Sequence, residues 1–302
     1  MSSPDPNQPL VGLTLPGPLV DEDWLAPRLG TPGLVVLDAS VGAHRGAGQR
    51  IPGARPFDID GALSDHSAAV PHTMPDAGRF AEELGSLGVD DGSTVVVYDG
   101  AGIYSSARAW WMLRAMGFDR AAVLDGGLPA WAAAGLPVEN EKSAYCGPHG
   151  SFTARPRRGL FVGSGQVTAA LADPASAVFD ARTRERFTGE VAEPRPGLRG
   201  GHMPGAVNLP FGELQHEGRM RPAHELRTAF AALAGDREKL VLSCGSGVTA
   251  CVLALGAELA GYSEPAVYDG SWSEWGLPSH LPVVKGPATE DHRAVGPDDV
   301  VR

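Results

Sequence analysis

One segment combines a nucleophile with a means of holding negative charge: Lys239-Leu-Val-Leu-Ser-Cys244-Gly-Ser-Gly-Val-Thr249-Ala-Cys-Val-Leu. An apolar run enters a loop of small residues, and a helical pattern begins near Val248. In strand–loop–helix arrangements of this kind, ligands bind at the carboxyl ends of the strands. Gly245 and Gly247 reach torsions barred to other residues. They let successive backbone N–H groups of the loop, with Gly245, Gly247, Val248 and Thr249 as the binding residues, turn inward as an anion nest. The positive end of the helix adds to that field. Cys244 is expected at the mouth of the nest, where the same field favours the thiolate, the attacking form of cysteine. The plainer alternative is a small buried cysteine at a strand end. The flanking glycines and the helix start argue for the nucleophile.

The elements that must position this loop occur twice. VVLDAS, IPGA, VVVYDGAG, LDGG and LPV in the first half are matched in order by AVFDAR, MPGA, LVLSCGSG, YDGS and LPV in the second. The separations agree: Asp38 to Asp180 is 142 residues, Gly100 to Gly245 and Gly102 to Gly247 are both 145, and Trp131 to Trp275 is 144. So long a period indicates two copies of one domain and not a solenoid. Strands are expected at 34–37, 94–98 and 121–124, then at 177–179, 240–242 and 266–268. Helices are expected at 77–87 and 105–116, then at 223–234 and 248–260. This alternation predicts an α/β fold in which each domain is a mainly parallel sheet covered by helices on both faces. The expected boundaries are 10–140 for the first domain, 141–160 for a polar linker, 161–285 for the second domain and 286–302 for a flexible tail. The repeat is also an internal control. The first copy reads Tyr98-Asp99-Gly100-Ala101-Gly102, so the loop shape is common to both copies and the thiol is not. One catalytic and one supporting domain follow.

Among the 302 residues, 25 are Lys or Arg and 36 Asp or Glu, a formal net charge of −11. Such a surface repels phosphate backbones and anionic lipid heads, which disfavours nucleic acid and membranes as partners. No apolar run approaches the ~18 residues of a membrane span. The start, MSSPDPNQPLVG, has no secretory pattern. Three cysteines suit a reducing, cytoplasmic setting. Zinc is disfavoured because Cys244 and Cys251 lack ligand spacing and paired histidines.

CGSGVTA at 244–250 resembles the active-site loop of the 3-mercaptopyruvate sulfurtransferases, the two-domain branch of the rhodanese superfamily. So do DAR and RFTG at 180–189, EPR at 193–195, GHMPGAVNLPF at 202–211 and YDGSWSEW at 268–275. In the first copy IPGARPFDID, RAWWMLRAMG and LDGGLPAW resemble it too. The resemblance covers about residues 10–285 and implies two tandem rhodanese-like domains. It implies that a Cys244 thiolate takes the outer sulfur of 3-mercaptopyruvate as a persulfide and releases pyruvate. A thiol such as thioredoxin or a small thiol, or cyanide in an assay, then collects the sulfur. No metal or organic cofactor is implied. Arg186 and Arg195 match the family's carboxylate-binding arginines, whose forked geometry suits that group. Ser246, His72 and Asp60 match a proposed serine–histidine–aspartate relay, with Asp58 an alternative to Asp60. Such a relay would place the site in a cleft between the domains.

The remaining candidates have structural readings. Arg182 is expected to be structural and Thr249 to cap or back-bond the loop. Cys251 and the tryptophans 110, 111, 272 and 275 are expected in the core. A thiosulfate sulfurtransferase on the same scaffold is the nearest rival. That family carries basic residues after the cysteine where this chain has Gly245 and Ser246, so thiosulfate is expected to be a weak donor. A cysteine phosphatase needs an arginine at position 250, which is alanine. A binding or sulfur-relay module is the rival of another class.

Overall fold

A computed structural model describes residues 13–46, 48–140 and 145–288. The chain divides into two compact units. One comprises residues up to Leu63 together with Pro75–Pro156, and the other comprises Ser64–Met74 together with the residues from Arg157 onward.

In the first unit the elements run β1 (Leu19–Val20), α1 (Glu22–Leu25), β2 (Leu34–Asp38), β3 (Arg55–Pro56), α2 (Ala77–Ser86), β4 (Thr94–Tyr98), α3 (Ser106–Ala115), β5 (Ala121–Leu124) and α4 (Gly127–Ala133). The five strands form one sheet in the order β1-β5-β4-β2-β3, and every pairing is parallel. β4 is buried at all five positions, which its sequence TVVVY suits. A central parallel strand is covered on both faces and needs an unbroken apolar run. Asp76 starts α2 by accepting the Arg79 N–H at 3.0 Å, the capping bond expected of an aspartate at that position.

In the second unit the elements run β6 (Phe161–Val162), α5 (Ser164–Ala172), β7 (Ser176–Asp180), α6 (Arg184–Thr188), β8 (Val207–Asn208), β9 (Gln215–His216), β10 (Arg219–Met220), α7 (Ala223–Ala234), β11 (Lys239–Ser243), α8 (Ala250–Leu259), β12 (Ala266–Tyr268) and α9 (Ser271–Trp275). The main sheet is again all parallel, in the order β6-β12-β11-β7-β8, and β9 and β10 form a separate antiparallel ribbon. Strand for strand, this is the order of the first unit. The duplication read from the sequence is therefore a duplication of topology. Trp131 and Trp275 are both wholly buried. Their indole N–H groups donate to the carbonyls of Pro137 and Pro282, at 2.7 and 2.8 Å. Each ring thus fills its core while its one polar atom is satisfied. Truncating such a ring to alanine would leave a cavity costing about 3–5 kcal/mol. Trp110, Trp111 and Trp272 are buried as well.

Two segments differ from the linear boundaries expected above. Residues 145–156 of the expected 141–160 linker belong to the first unit and 157–160 to the second. The N–H groups of Gly150, Ser151, Thr153 and Arg155 donate to Gly85 O, Asp90 Oδ1, Asp91 Oδ1 and Met116 O, at 2.7–2.8 Å. Phe152 inserts between Phe80 and Phe118. Tyr145 adds a second contact, its ring lying under the Arg55 guanidinium at 4.0 Å, and the polar composition hid both rings. The strip 64–74 falls inside the first copy by sequence, yet it joins the second unit, where Met74 N–H donates to Asp269 Oδ2 at 2.9 Å. Of the expected tail, residues 289–302 lie outside the described residues, and Gly286 N–H donates to Thr188 O. Among the described residues no helix is long and apolar enough to cross a membrane.

Candidate active site

The loop after β11 is held down from its carbonyl side. Trp272 N–H donates to Cys244 O at 2.9 Å and Ser273 N–H to Gly245 O at 2.8 Å. The Ser273 hydroxyl reinforces the second bond at 2.7 Å. With its carbonyls turned toward α9, the loop presents its amides to the opposite side. Gly247 supplies the left-handed turn this requires, with φ +74°. The helix expected from Val248 starts at Ala250. Thr249 is its N-cap residue but makes no side-chain capping bond. Cys251 lies in the core, its Sγ 3.2 Å from Gly247 O, as its structural reading required.

The sister loop shows what these amides are for. In the first unit the Asp99 carboxylate accepts the N–H groups of Ala101, Tyr104 and Ser106 at 2.8–2.9 Å. An anion thus sits in that nest, and the protein itself supplies it. In the second unit Cys244 replaces the aspartate. Of the three amides at the matched positions, that of Cys251 turns to Val248 O at 3.1 Å, whereas those of Ser246 and Thr249 have no protein acceptor among the described residues. Amides at such a loop without a protein partner are uncommon. They are the expected signature of a nest shaped for a ligand's negative charge.

Cys244 was expected at the mouth of the loop and instead lies on its floor, 1% exposed. The anchoring of the loop to α9 draws it there. Its cover is not purely apolar, because Ser271 Oγ lies 4.0 Å from Sγ.

The structure brings three further candidates to this loop. Arg186, on α6, approaches so closely that a Cβ added at Gly245 would stand 3.1 Å from its Nη2. Gly245 is needed here for close approach and not for its torsion. Arg195 Nη1 donates to Ser273 Oγ at 3.3 Å, one bond removed from Gly245 O. His72 Nδ1 lies 3.0 Å from Ser246 Oγ, an arrangement able to move a proton. Asp60 belongs to the first unit, where it lies 3.9 Å from Arg45; Asp58 pairs with the same arginine.

Sequence reasoning missed Glu193, although it stands in the EPR motif. Its buried carboxylate accepts from Arg182 Nη1 at 2.8 Å and from Arg186 Nη2 at 2.5 Å. Arg182, itself wholly buried, also chelates Asp180 and stacks over Trp272. That confirms its structural role. Two guanidiniums against two carboxylates balance the charge of this cluster, and Arg195 stands apart from it on the Ser273 hydroxyl.

Behind α6, His202 is buried with its ring stacked on Phe187 at 3.8 Å and its Nδ1 2.9 Å from Phe187 O. Burial lowers its pKa below the ordinary 6.5, against a smaller opposing effect of the Phe187 carbonyl. The unfolded chain therefore takes up the proton first. The stability this ring contributes is complete above pH ~6.5 and is lost as the pH falls below it. Thermal midpoints are expected to drop between pH 7 and 5, and the drop to be shallower in His202→Gln. Equal slopes for the two proteins would remove His202 from the acid response.

The family of Rhodanese-like domains matches residues 21–134 and again 164–277. The chain belongs to that family. Among similar rhodanese-like proteins, the 3-mercaptopyruvate sulfurtransferase of Escherichia coli (strain K12) is 39% identical over 274 residues, covering 87% of this chain and 96% of that protein. The 3-mercaptopyruvate sulfurtransferase of Homo sapiens is 41% identical over 274 residues, covering 85% and 91%. The crystal structure of SseA from Escherichia coli, described as a 3-mercaptopyruvate sulfotransferase with the rhodanese fold, matches with a TM-score of 0.75 and 36% identity. It covers 85% of this chain and 100% of SseA.

Proposed function

We propose that this rhodanese-like chain is a 3-mercaptopyruvate sulfurtransferase that carries sulfur on Cys244. The observation that supports this most is the pair of open amides in the Cys244 loop, at positions whose counterparts in the first unit are filled by Asp99. The Cys244 thiolate attacks the sulfur of the donor. The C–S bond breaks, its electron pair stays on carbon as the enolate of pyruvate, and that carbon takes up a proton. The outer sulfur of the resulting persulfide is then attacked by an acceptor thiolate, which leaves as a persulfide and restores Cys244. Arg186 and Arg195 bind the donor carboxylate, and Ser246 with His72 relays the proton. Sulfur relay through one thiol requires neither metal nor organic cofactor. The acceptor is a small thiol or a reduced dithiol protein of the thioredoxin kind, and the setting is the cytoplasm. The second unit is catalytic, and the first supports it.

The charges beside the loop favour one donor. Arg186 and Arg195 suit a monoanionic carboxylate, whereas dianionic thiosulfate lacks basic partners at 245 and 246. We expect kcat/KM for 3-mercaptopyruvate to exceed that for thiosulfate by at least about tenfold, the effect of a missing close charge in a partly screened site. Steady-state assays with both donors and one common acceptor test this. A preference for thiosulfate would refute the assignment of donor. Intact-mass spectrometry after mixing with 3-mercaptopyruvate tests the sulfur carrier itself, since one added sulfur on Cys244 is expected.

A further inference from the structure

Comparison of the two units singles out a residue on the far side of the loop from the arginines. α9 begins at Ser271, which has φ +46°, a left-handed conformation that disfavours residues other than glycine. Its counterpart in the first unit is Gly127, with φ +53°. No side chain fits there, since a Cβ on Gly127 would stand 2.4 Å from Asp99 O and 2.3 Å from Gly102 O. The second unit thus carries a strained, wholly buried serine where the same backbone turn is served by glycine in the non-catalytic copy. Strain of this kind persists where the side chain has work to do.

The Ser271 hydroxyl accepts the Cys244 N–H at 3.1 Å and donates to Tyr268 O at 2.8 Å, with Cys244 Sγ at 4.0 Å. A hydroxyl has one hydrogen. While it is given to Tyr268 O, the sulfur receives none. Rotation about the Cβ–Oγ bond redirects it to Sγ when that sulfur is anionic, with the oxygen still accepting the Cys244 N–H.

We propose that Ser271 is a positioning residue for the nucleophile: it fixes the Cys244 backbone through the amide and turns its hydroxyl hydrogen toward the ionised sulfur. The proposal builds on the reading of Cys244 as sulfur carrier, and its test does not depend on a donor. Ser271→Gly removes the hydroxyl and relieves the strain; Ser271→Ala removes the hydroxyl and keeps the strain. Iodoacetamide alkylation of Cys244 across pH is followed by peptide mass, with Cys146 as the internal reference. In both variants alkylation of Cys244 at pH 7 is expected to slow about tenfold, the usual effect of losing one hydrogen bond to a charged group. Its pH profile is expected to move to higher pH. Ser271→Gly is also expected to melt no lower than the parent. Unchanged alkylation profiles in both variants would overturn the proposal. If the parent takes no sulfur from 3-mercaptopyruvate yet the profiles move, the sulfurtransferase reading fails and the positioning role stands.

Discussion

Cys244→Ser is expected to abolish the gain of one sulfur from 3-mercaptopyruvate and to lower turnover by at least about 10⁴-fold, the scale seen when a nucleophile is removed. A serine hydroxyl stays protonated near neutral pH and attacks sulfur poorly, so the first step is lost and not merely slowed. The change is nearly isosteric, and Ser271 Oγ, 4.0 Å from Sγ, gives the new hydroxyl a polar neighbour. Melting temperature and circular dichroism should therefore match the parent. A variant that still gains sulfur would place the carrier elsewhere. Cys146 is exposed, whereas Cys251 is buried against Gly247 O.

Arg186→Ala is expected to raise KM for 3-mercaptopyruvate by about 10- to 100-fold, the range for losing a charge-assisted bond to a carboxylate, with a smaller change in kcat. Arg186 is half-buried, and Glu193 grips it through two bonds of 2.5 and 3.3 Å that fix its plane beside Gly245. Arg186→Lys should recover little of the loss. A lysine has no fork with which to bridge Glu193 and a donor carboxylate together. Steady-state kinetics on all three proteins check this, and an unchanged KM in Arg186→Ala would take the residue out of donor binding.

The fold was largely legible because duplication gave every element a second reading. The strands 94–98, 121–124 and 266–268 and the helix 223–234 have the expected bounds. Apolar runs such as TVVVY admit no other role in a chain of this composition. The loop was legible for a different reason, since glycines around a cysteine after an apolar run restrict its geometry. Three features were not. Phe152 and Tyr145 anchor a segment whose other residues look like linker. The strip 64–74 carries no mark of which unit it joins, because that depends on contacts such as Met74 with Asp269 and His72 with Ser246. Glu193 and Ser271 lay within quoted motifs, but their roles appear only when the partners converge in space. The pairing of Gly127 with Ser271 at matched positions was the available sequence signal.

Asp99 has a consequence for any compound made to imitate the donor. Each polypeptide contains two cradles of the same backbone shape, but one is permanently satisfied by its own side chain. A competitive anion is therefore expected to saturate at one equivalent per chain, because Asp99 denies it the first of the two loops.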